Sequence, residues 1–192
     1  MQLENLKTKF LGRNTIYYSE IDSTQAEIWR LIDKGSIANG TLIFTDIQNK
    51  GIGTHGRVWH TDEKGNIAFS FFIQPDCNIE NLDGLTKEIA NIIVNILKRQ
   101  YGITLNIKEP NDIVYNNKKI GGILTETRVI CEKVKYLVIG IGINTIKENF
   151  TEDIKNIATS IKKEFGIDVD VKQFIVEFCN VFEKIIIERI GN

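Results

Sequence analysis

Along the chain, apolar residues recur at every second position, then every third or fourth, then every second again, and these changes of period divide it into elements. Ile16-Tyr17-Tyr18 predicts a short strand. Asp22-Ser23-Thr24-Gln25 offers an N-cap and Glu27 follows in the first turn, so a helix is expected over 24–34, ended by Gly35. Thr41-Leu42-Ile43-Phe44-Thr45 reads as a buried strand, and Asn66 to Ile73 (NIAFSFFI) as a second, stopped by Pro75. Leu82, Leu85, Ile89, Ile93, Ile96 and Leu97 repeat at helical spacing, which predicts a helix over 81–100 with Gly102 in its C-cap region. From 103 to 145 the pattern is that of strands joined by tight turns: 105–108, 113–115, a turn at Asn116-Asn117-Lys118, 120–127, a turn near Cys131-Glu132-Lys133, and 134–143. Two amphipathic helices, 151–164 and 171–189, close the chain. This order predicts an α/β (α+β) fold with a mixed, largely antiparallel sheet flanked by helices, because a parallel sheet would need strict strand–helix alternation.

Composition narrows the classes. A length of 192 residues suffices for one domain with a real core, and 1–192 is read as a single domain. With 42% hydrophobic residues, 26% charged residues and a net charge of −1, the chain lacks the basic excess of a dedicated nucleic-acid or membrane-surface binder. Cys77, Cys131 and Cys179 are widely spaced and form no CxxC, which reads as three reduced thiols in a cytoplasmic protein. The polar start MQLENLKTKFLG is no signal peptide, and no window holds the roughly 20 apolar residues of a membrane helix.

Four segments carry candidate chemistry. In Gln48 to Trp59 (QNKGIGTHGRVW), Gly51, Gly53 and Gly56 let a ligand approach the backbone, whose N–H groups can cradle an anion, and Arg57 adds a bidentate cation. A flexible surface loop is the plainer reading, and neither a Walker pattern nor a dinucleotide fingerprint is present. Lys108-Glu109-Pro110-Asn111-Asp112 places a cation and polar groups on one rigid turn, or is merely a connection. Gly121 and Gly122 inside a strand mark a bulge or a close backbone approach. Gly140 and Gly142 share one strand face, a bare floor for something flat unless a helix packs there, and Asn144 ends that strand. Together the segments point to an anionic, partly flat ligand, an activated acid or a nucleotide.

These segments, in this order, resemble the catalytic domain of biotin protein ligases, the biotin–[acetyl-CoA-carboxylase] ligases. Ser23-Thr24-Gln25 looks like the family's Ser-Thr-Asn, and Gly51 to Trp59 like its Gly-Arg-Gly-Arg-x-Gly-Arg-x-Trp after a Gln, here Gln48. Lys108 to Asp112 resembles Lys-Trp-Pro-Asn-Asp, Lys119 to Glu126 resembles Lys-x-x-Gly-Ile-Leu-x-Glu, and Gly140 to Asn144 matches Gly-x-Gly-Ile-Asn. The resemblance spans about 16–188. It implies a fold related to class II aminoacyl-tRNA synthetases and a two-step reaction. Biotin is adenylated by ATP with Mg2+, then passed to a lysine of a biotin carboxyl carrier protein of acetyl-CoA carboxylase or a related carboxylase.

Carried over residue by residue, the resemblance implies Lys108, Arg57 and Lys119 as catalytic cations, Lys108 holding the biotin carboxylate and α-phosphate. Ser23, Thr24, Gln25, Gln48, Gly51, Ile52, Gly53, Thr54, Lys108, Gly122, Gly140 and Gly142 would form the biotin site. Arg57, Trp59, Asn111, Lys119 and Asn144 would bind ATP, Trp59 on the adenine side, with Asp112 near Mg2+. Homodimers occur among relatives and are possible here. The sequence departs from the pattern at Ile52 and Thr54, where the family has arginines, at Gln25 for Asn, and at Glu109 for Trp; Glu109 is expected to pair with Lys108 and dampen its charge. No helix-turn-helix segment is expected before residue 16 and no small β-barrel domain after the last helix. A lipoate or octanoate protein ligase and a non-catalytic binding module for biotin or its adenylate are the competing readings.

Overall fold

The computed structural model describes residues 3–190. Eight strands form one sheet: β1 (Thr15–Ile21), β2 (Leu42–Ile52), β3 (Val58–Thr61), β4 (Ile67–Ile73), β5 (Asn106–Lys108), β6 (Asp112–Tyr115), β7 (Lys118–Ile130) and β8 (Lys133–Ile143). Their order is β1-β2-β4-β8-β7-β6-β5, with β3 paired to β2 off this path. β1 and β2 pair in parallel and the remaining neighbours antiparallel, so the sheet is mixed and largely antiparallel as the pattern predicts. The helices are α1 (Thr24–Asp33), α2 (Leu85–Tyr101), the short α3 (Ile161–Phe165) and α4 (Val171–Ile190).

Strand alternation decides where the core lies. On β4 and β8, Ile67, Phe69, Phe71, Leu137, Ile139, Ile141 and Ile143 pack against buried residues of α2 and α4, where Phe178 and Phe182 stack at 5.4 Å. Phe72 and Val138 point to the opposite face and meet Ile28 and Ile32 of α1 in a smaller cluster. Further along that second face stand Ala68, Ser70, Gly140 and Gly142, whose short side chains leave a depression at the N-terminal end of α1. The two hairpin turns fall where predicted, because Asn116-Asn117 and Cys131-Glu132 adopt positive φ in pairs, the geometry of tight two-residue hairpins.

Three elements differ from the pattern. The helix expected from 81 begins at Leu85, because Ile79–Leu82 forms a 3-10 turn and Gly84 takes a left-handed φ of 72°. β2 runs on to Ile52, since it pairs with β1 as far as Gln48 and then with β3. The helix expected over 151–164 does not form as such. Lys119 N–H donates to the Ile157 carbonyl at 2.8 Å and Thr159 N–H to the Lys119 carbonyl at 2.9 Å, which draws 157–159 out as a strap along β7. Helix resumes only at α3, capped by the Ser160 hydroxyl.

Candidate active site

The depression on the α1 face divides into two compartments. The inner one is lined by Ser23, Thr24 and Gln25 at the start of α1, Gln48 and Ile52–Thr54 from β2 and its turn, Ser70 of β4, and the glycines of β7 and β8. Ser23 caps α1 by accepting from Ala26 N–H at 3.3 Å, which fixes the two residues behind it against the sheet. Thr24 N–H and hydroxyl both donate to Gln48 Oε1, at 2.9 and 3.1 Å, and Thr24 Oγ1 is 2.8 Å from Ser70 Oγ. Gln25 donates to Glu126 Oε2 at 2.8 Å, which also accepts from Trp29 Nε1 at 2.7 Å. The inner end is thus a row of amides and hydroxyls held by each other, with no net charge of their own.

The floor expected to be bare is covered. The Trp59 indole lies directly on Gly142, so that a Cβ there would overlap the ring, and it reaches Gly122 as well. The cavity left is about 40 Å³, room for a water molecule but for no larger ligand. Trp59 therefore forms the wall between the compartments, lining both. Gly51 is required for this arrangement, because a Cβ at that position would overlap the Trp59 carbonyl.

The outer compartment, about 610 Å³, is of a size suited to a cofactor or nucleotide. The turn from Gly53 to His60, Asn144, and the 147–158 segment enclose it. Two of the turn's N–H groups do not face it: Gly53 N–H donates to the Arg57 carbonyl at 2.7 Å and Arg57 N–H to the Thr54 carbonyl at 3.3 Å. Part of the expected backbone anion cradle is thus spent on closing the turn. Arg57 lines the compartment and forms no ion pair among the described residues. Lys147, only 2% exposed, is held by both Asp62 oxygens at 2.5 and 2.6 Å. Burial pushes the Asp62 carboxyl up, but the hydrogen bond and charge of Lys147 outweigh it and leave its pKa below the usual value.

Lys119 stands at the seam and lines both compartments. Its Nζ is 2.6 Å from Asp112 Oδ1, in a contact of charges outside hydrogen-bond geometry, and 5.5 Å from the Trp59 ring centroid. The strap 157–159 holds its backbone on both sides. Lys108 lines neither compartment. It pairs with Asp112, which pairs with Gly122, which pairs with Gly142. Directly opposed residues share a face, so Lys108 is on the correct face but three strand spacings, about 14 Å, from the glycine floor. Glu109 does not pair with it; its carboxylate meets Lys87 at 2.5 Å. Asn111 lines the inner compartment rather than the outer, donating to the Ile123 carbonyl at 3.1 Å. Asn144 lines the outer one and ties the strap by donating to the Thr159 carbonyl at 3.2 Å. No group of three His, Cys, Asp or Glu side chains among the described residues converges as a metal site.

Sequence reasoning omitted Ser70, Glu126 as a holder, and Lys147. Ser70 had a signal, a single hydroxyl in the wholly apolar run of β4. Lys147 had none, since a lysine after a strand is exposed by default.

The mixed sheet thus brings a neutral polar pocket and a nucleotide-sized pocket to one lysine. The chain belongs to the biotin/lipoate A/B protein ligase family, whose model matches residues 17–144. It is 35% identical over 181 residues to the bifunctional ligase/repressor BirA of Bacillus subtilis, covering 93% of this chain and 55% of that one. It thus spans about half the length of the curated relatives it matches. Among solved structures, the biotin protein ligase of Aquifex aeolicus in complex with biotin and ATP superposes with a TM-score of 0.74 at 33% identity, covering 93% of this chain and 71% of that one. That of Leishmania major in complex with biotinyl-5-AMP gives 0.65 at 25% identity, covering 93% and 80%. Among the described residues no helix is long and apolar enough to cross a membrane.

Proposed function

We propose that this protein is an ATP-dependent biotin protein ligase. The biotin carboxylate attacks the α-phosphate of ATP, giving biotinyl-5′-AMP and pyrophosphate. A lysine amine of a carrier protein then attacks the acyl carbon, forming the amide as AMP leaves. The observation that carries this reading is the position of Lys119 at the seam of the two compartments. Two anions must meet in the first step, and a cation at the meeting point screens their repulsion. Lys119 takes that role in preference to Lys108, and Arg57 faces the phosphates from the outer turn. Mg2+ enters as the metal of MgATP, carried by the triphosphate and water rather than by a protein cage. The inner row of Ser23, Thr24, Gln25 and Gln48 receives the polar ring of biotin, and Trp59 swings off Gly142 to admit it.

The carrier is a biotin carboxyl carrier domain of acetyl-CoA carboxylase or a kindred carboxylase, the working compartment is the cytoplasm, and a homodimer belongs to the same reading. The test is biotin-dependent ATP–pyrophosphate exchange with Mg2+, with lipoate as control acid. Exchange with biotin alone is expected. Exchange with lipoate alone would move the activity to the other acid, and no exchange with folded protein would make the chain a binding module.

A further inference from the structure

Hydrogen-bond polarity at the inner end can be assigned atom by atom. Thr24 N–H can only donate, so the Gln48 atom 2.9 Å from it is the carbonyl oxygen. That oxygen also takes the Thr24 hydroxyl proton at 3.1 Å, so the Ser70 hydroxyl, 2.8 Å away, must donate to Thr24 and shows the pocket only lone pairs. On the other side, one Gln25 amide atom lies 2.8 Å from Glu126 Oε2 and 3.4 Å from the Val138 carbonyl. Both partners accept, so that atom is Nε2, and Trp29 Nε1 holds the same Glu126 oxygen in place at 2.7 Å. Gln25 Oε1 is thereby turned the other way. It is buried, has no hydrogen-bond partner among the described residues, and stands 2.7 Å from where a Cβ of Gly140 would be. The residue as a whole is 3% exposed, so Gln25 Oε1 is cut off from bulk solvent and is reached at most by a water of the small inner cavity, which a bound ligand displaces.

We infer that Gln25 is a specificity-determining residue of this site: its carbonyl oxygen, held outward by Glu126 and Trp29, accepts a hydrogen bond from a ring N–H of the bound acid. The inference rests on the ligase reading above and adds the reason for its choice of acid. Beside this acceptor and Ser70, the pocket keeps donors. The Ser23 hydroxyl retains its proton while its oxygen caps α1, and Gln48 Nε2 keeps an N–H beyond the one shared with Thr61 at 3.3 Å. A carbonyl flanked by N–H groups, a cyclic urea, complements that set. An acid whose ring holds only carbon and sulfur leaves the Gln25 oxygen buried and unpaired, which sites built for a hydrogen bond reject. Glu126 and Trp29 act as positioning residues, since without an acceptor beside it the amide is free to turn over and present N–H instead.

The experiment is calorimetric binding of biotin, of its two mono-N-methylated ureido analogues, and of lipoate to the wild type, Gln25→Met, Glu126→Leu and Trp29→Phe. Gln25→Met is expected to weaken biotin on the order of tenfold to a hundredfold, and lipoate by less than about twofold. Glu126→Leu and Trp29→Phe are expected to weaken biotin several-fold in the same selective way, and decide the matter if Gln25→Met fails to fold. At least one N-methyl analogue should lose affinity to the wild type but lose little more to Gln25→Met, a coupling that general loosening of the pocket does not produce. Wild-type binding of biotin with equal affinity in all three variants, or equal methylation losses in wild type and Gln25→Met, overturns the inference and leaves the ligase reading standing. A wild type that binds no biotin overturns the ligase reading itself, and the inference with it.

Discussion

Strand and helix residues wall the inner compartment, and their amides and hydroxyls hold one another; turns wall the outer one, with Val58 and Ile157 more than 60% exposed at its rim. The inner cavity is small, at about 40 Å³, and the outer large, at about 610 Å³. Selection by hydrogen bonds requires groups that do not adapt, and a regular sheet supplies them. Loops adapt at lower cost and suit a ligand that must come and go. The two regions meet at Lys119 and Trp59, the junction at which the proposed ligase reaction would join its two substrates.

The sharpest way to break this division is to remove what both sides share. Lys119→Ala is expected to lower pyrophosphate exchange by about 10²-fold or more. Lys108→Ala, on the edge strand, should cost at least roughly tenfold less in the same assay. The reverse ranking would show that the sheet opens towards β5 and that the seam is misplaced.

A smaller effect separates the outer region. Asp62→Asn leaves the buried Lys147 ammonium without its counter-charge, and is expected to cost about 1–3 kcal/mol of stability by urea unfolding. Acid should mimic the substitution. The Asp62 pKa is lowered in the folded protein, so the pair's contribution is complete above the unfolded carboxyl value of about 4 and is lost as pH falls through the folded value. A stability profile in which wild type and Asp62→Asn fail to converge at low pH would count against that tether.

Thr24→Val tests the inner region alone. It removes the hydroxyl that links Gln48 to Ser70 at nearly constant volume, and is expected to weaken biotin about tenfold with thermal stability changed little. Loss of nucleotide binding of the same size would mean that the compartments are not independent. The smallest effect concerns the thiols. Cys131 is exposed at the β7–β8 turn, while Cys77 and Cys179 are buried, and burial pushes both of their pKa values up. A thiol reagent should label one cysteine per folded chain, with exchange activity unaffected; rapid labelling of a second would show a more open core.

Much of this was legible in the chain because it is local. Periodicity located seven of the eight strands and three of the helices; it did not single out β3, and β2 runs seven residues past its expected end. The asparagine pair at 116–117 marked its hairpin, and the spacing of Gly140 and Gly142 placed both on one face. The segment at 151–158 was misread because its apolar spacing is compatible with a helix, and backbone pairing with Lys119, distant in sequence, overrode it. Of the loop glycines, Gly53 gives its N–H to the Arg57 carbonyl and so closes the turn, a use that depends on chain geometry and not on local pattern.

By itself the sequence determined which residues lie on which face of each element, the sheet's largely antiparallel character, and the set of amides, glycines and cations from which a site for an acid and a nucleotide can be made. Only the tertiary structure decided which of them meet. Lys108 and Lys119 sit at comparable places in their motifs and on the same sheet face, yet strand order puts one at an edge and the other at the seam. The partner of Glu109, the indole resting on Gly142 and the direction of the Gln25 amide were likewise settled by neighbours brought in from elsewhere in the chain. The physical reason is that side-chain direction follows from backbone period within a strand, whereas lateral position follows from long-range pairing that no local pattern encodes.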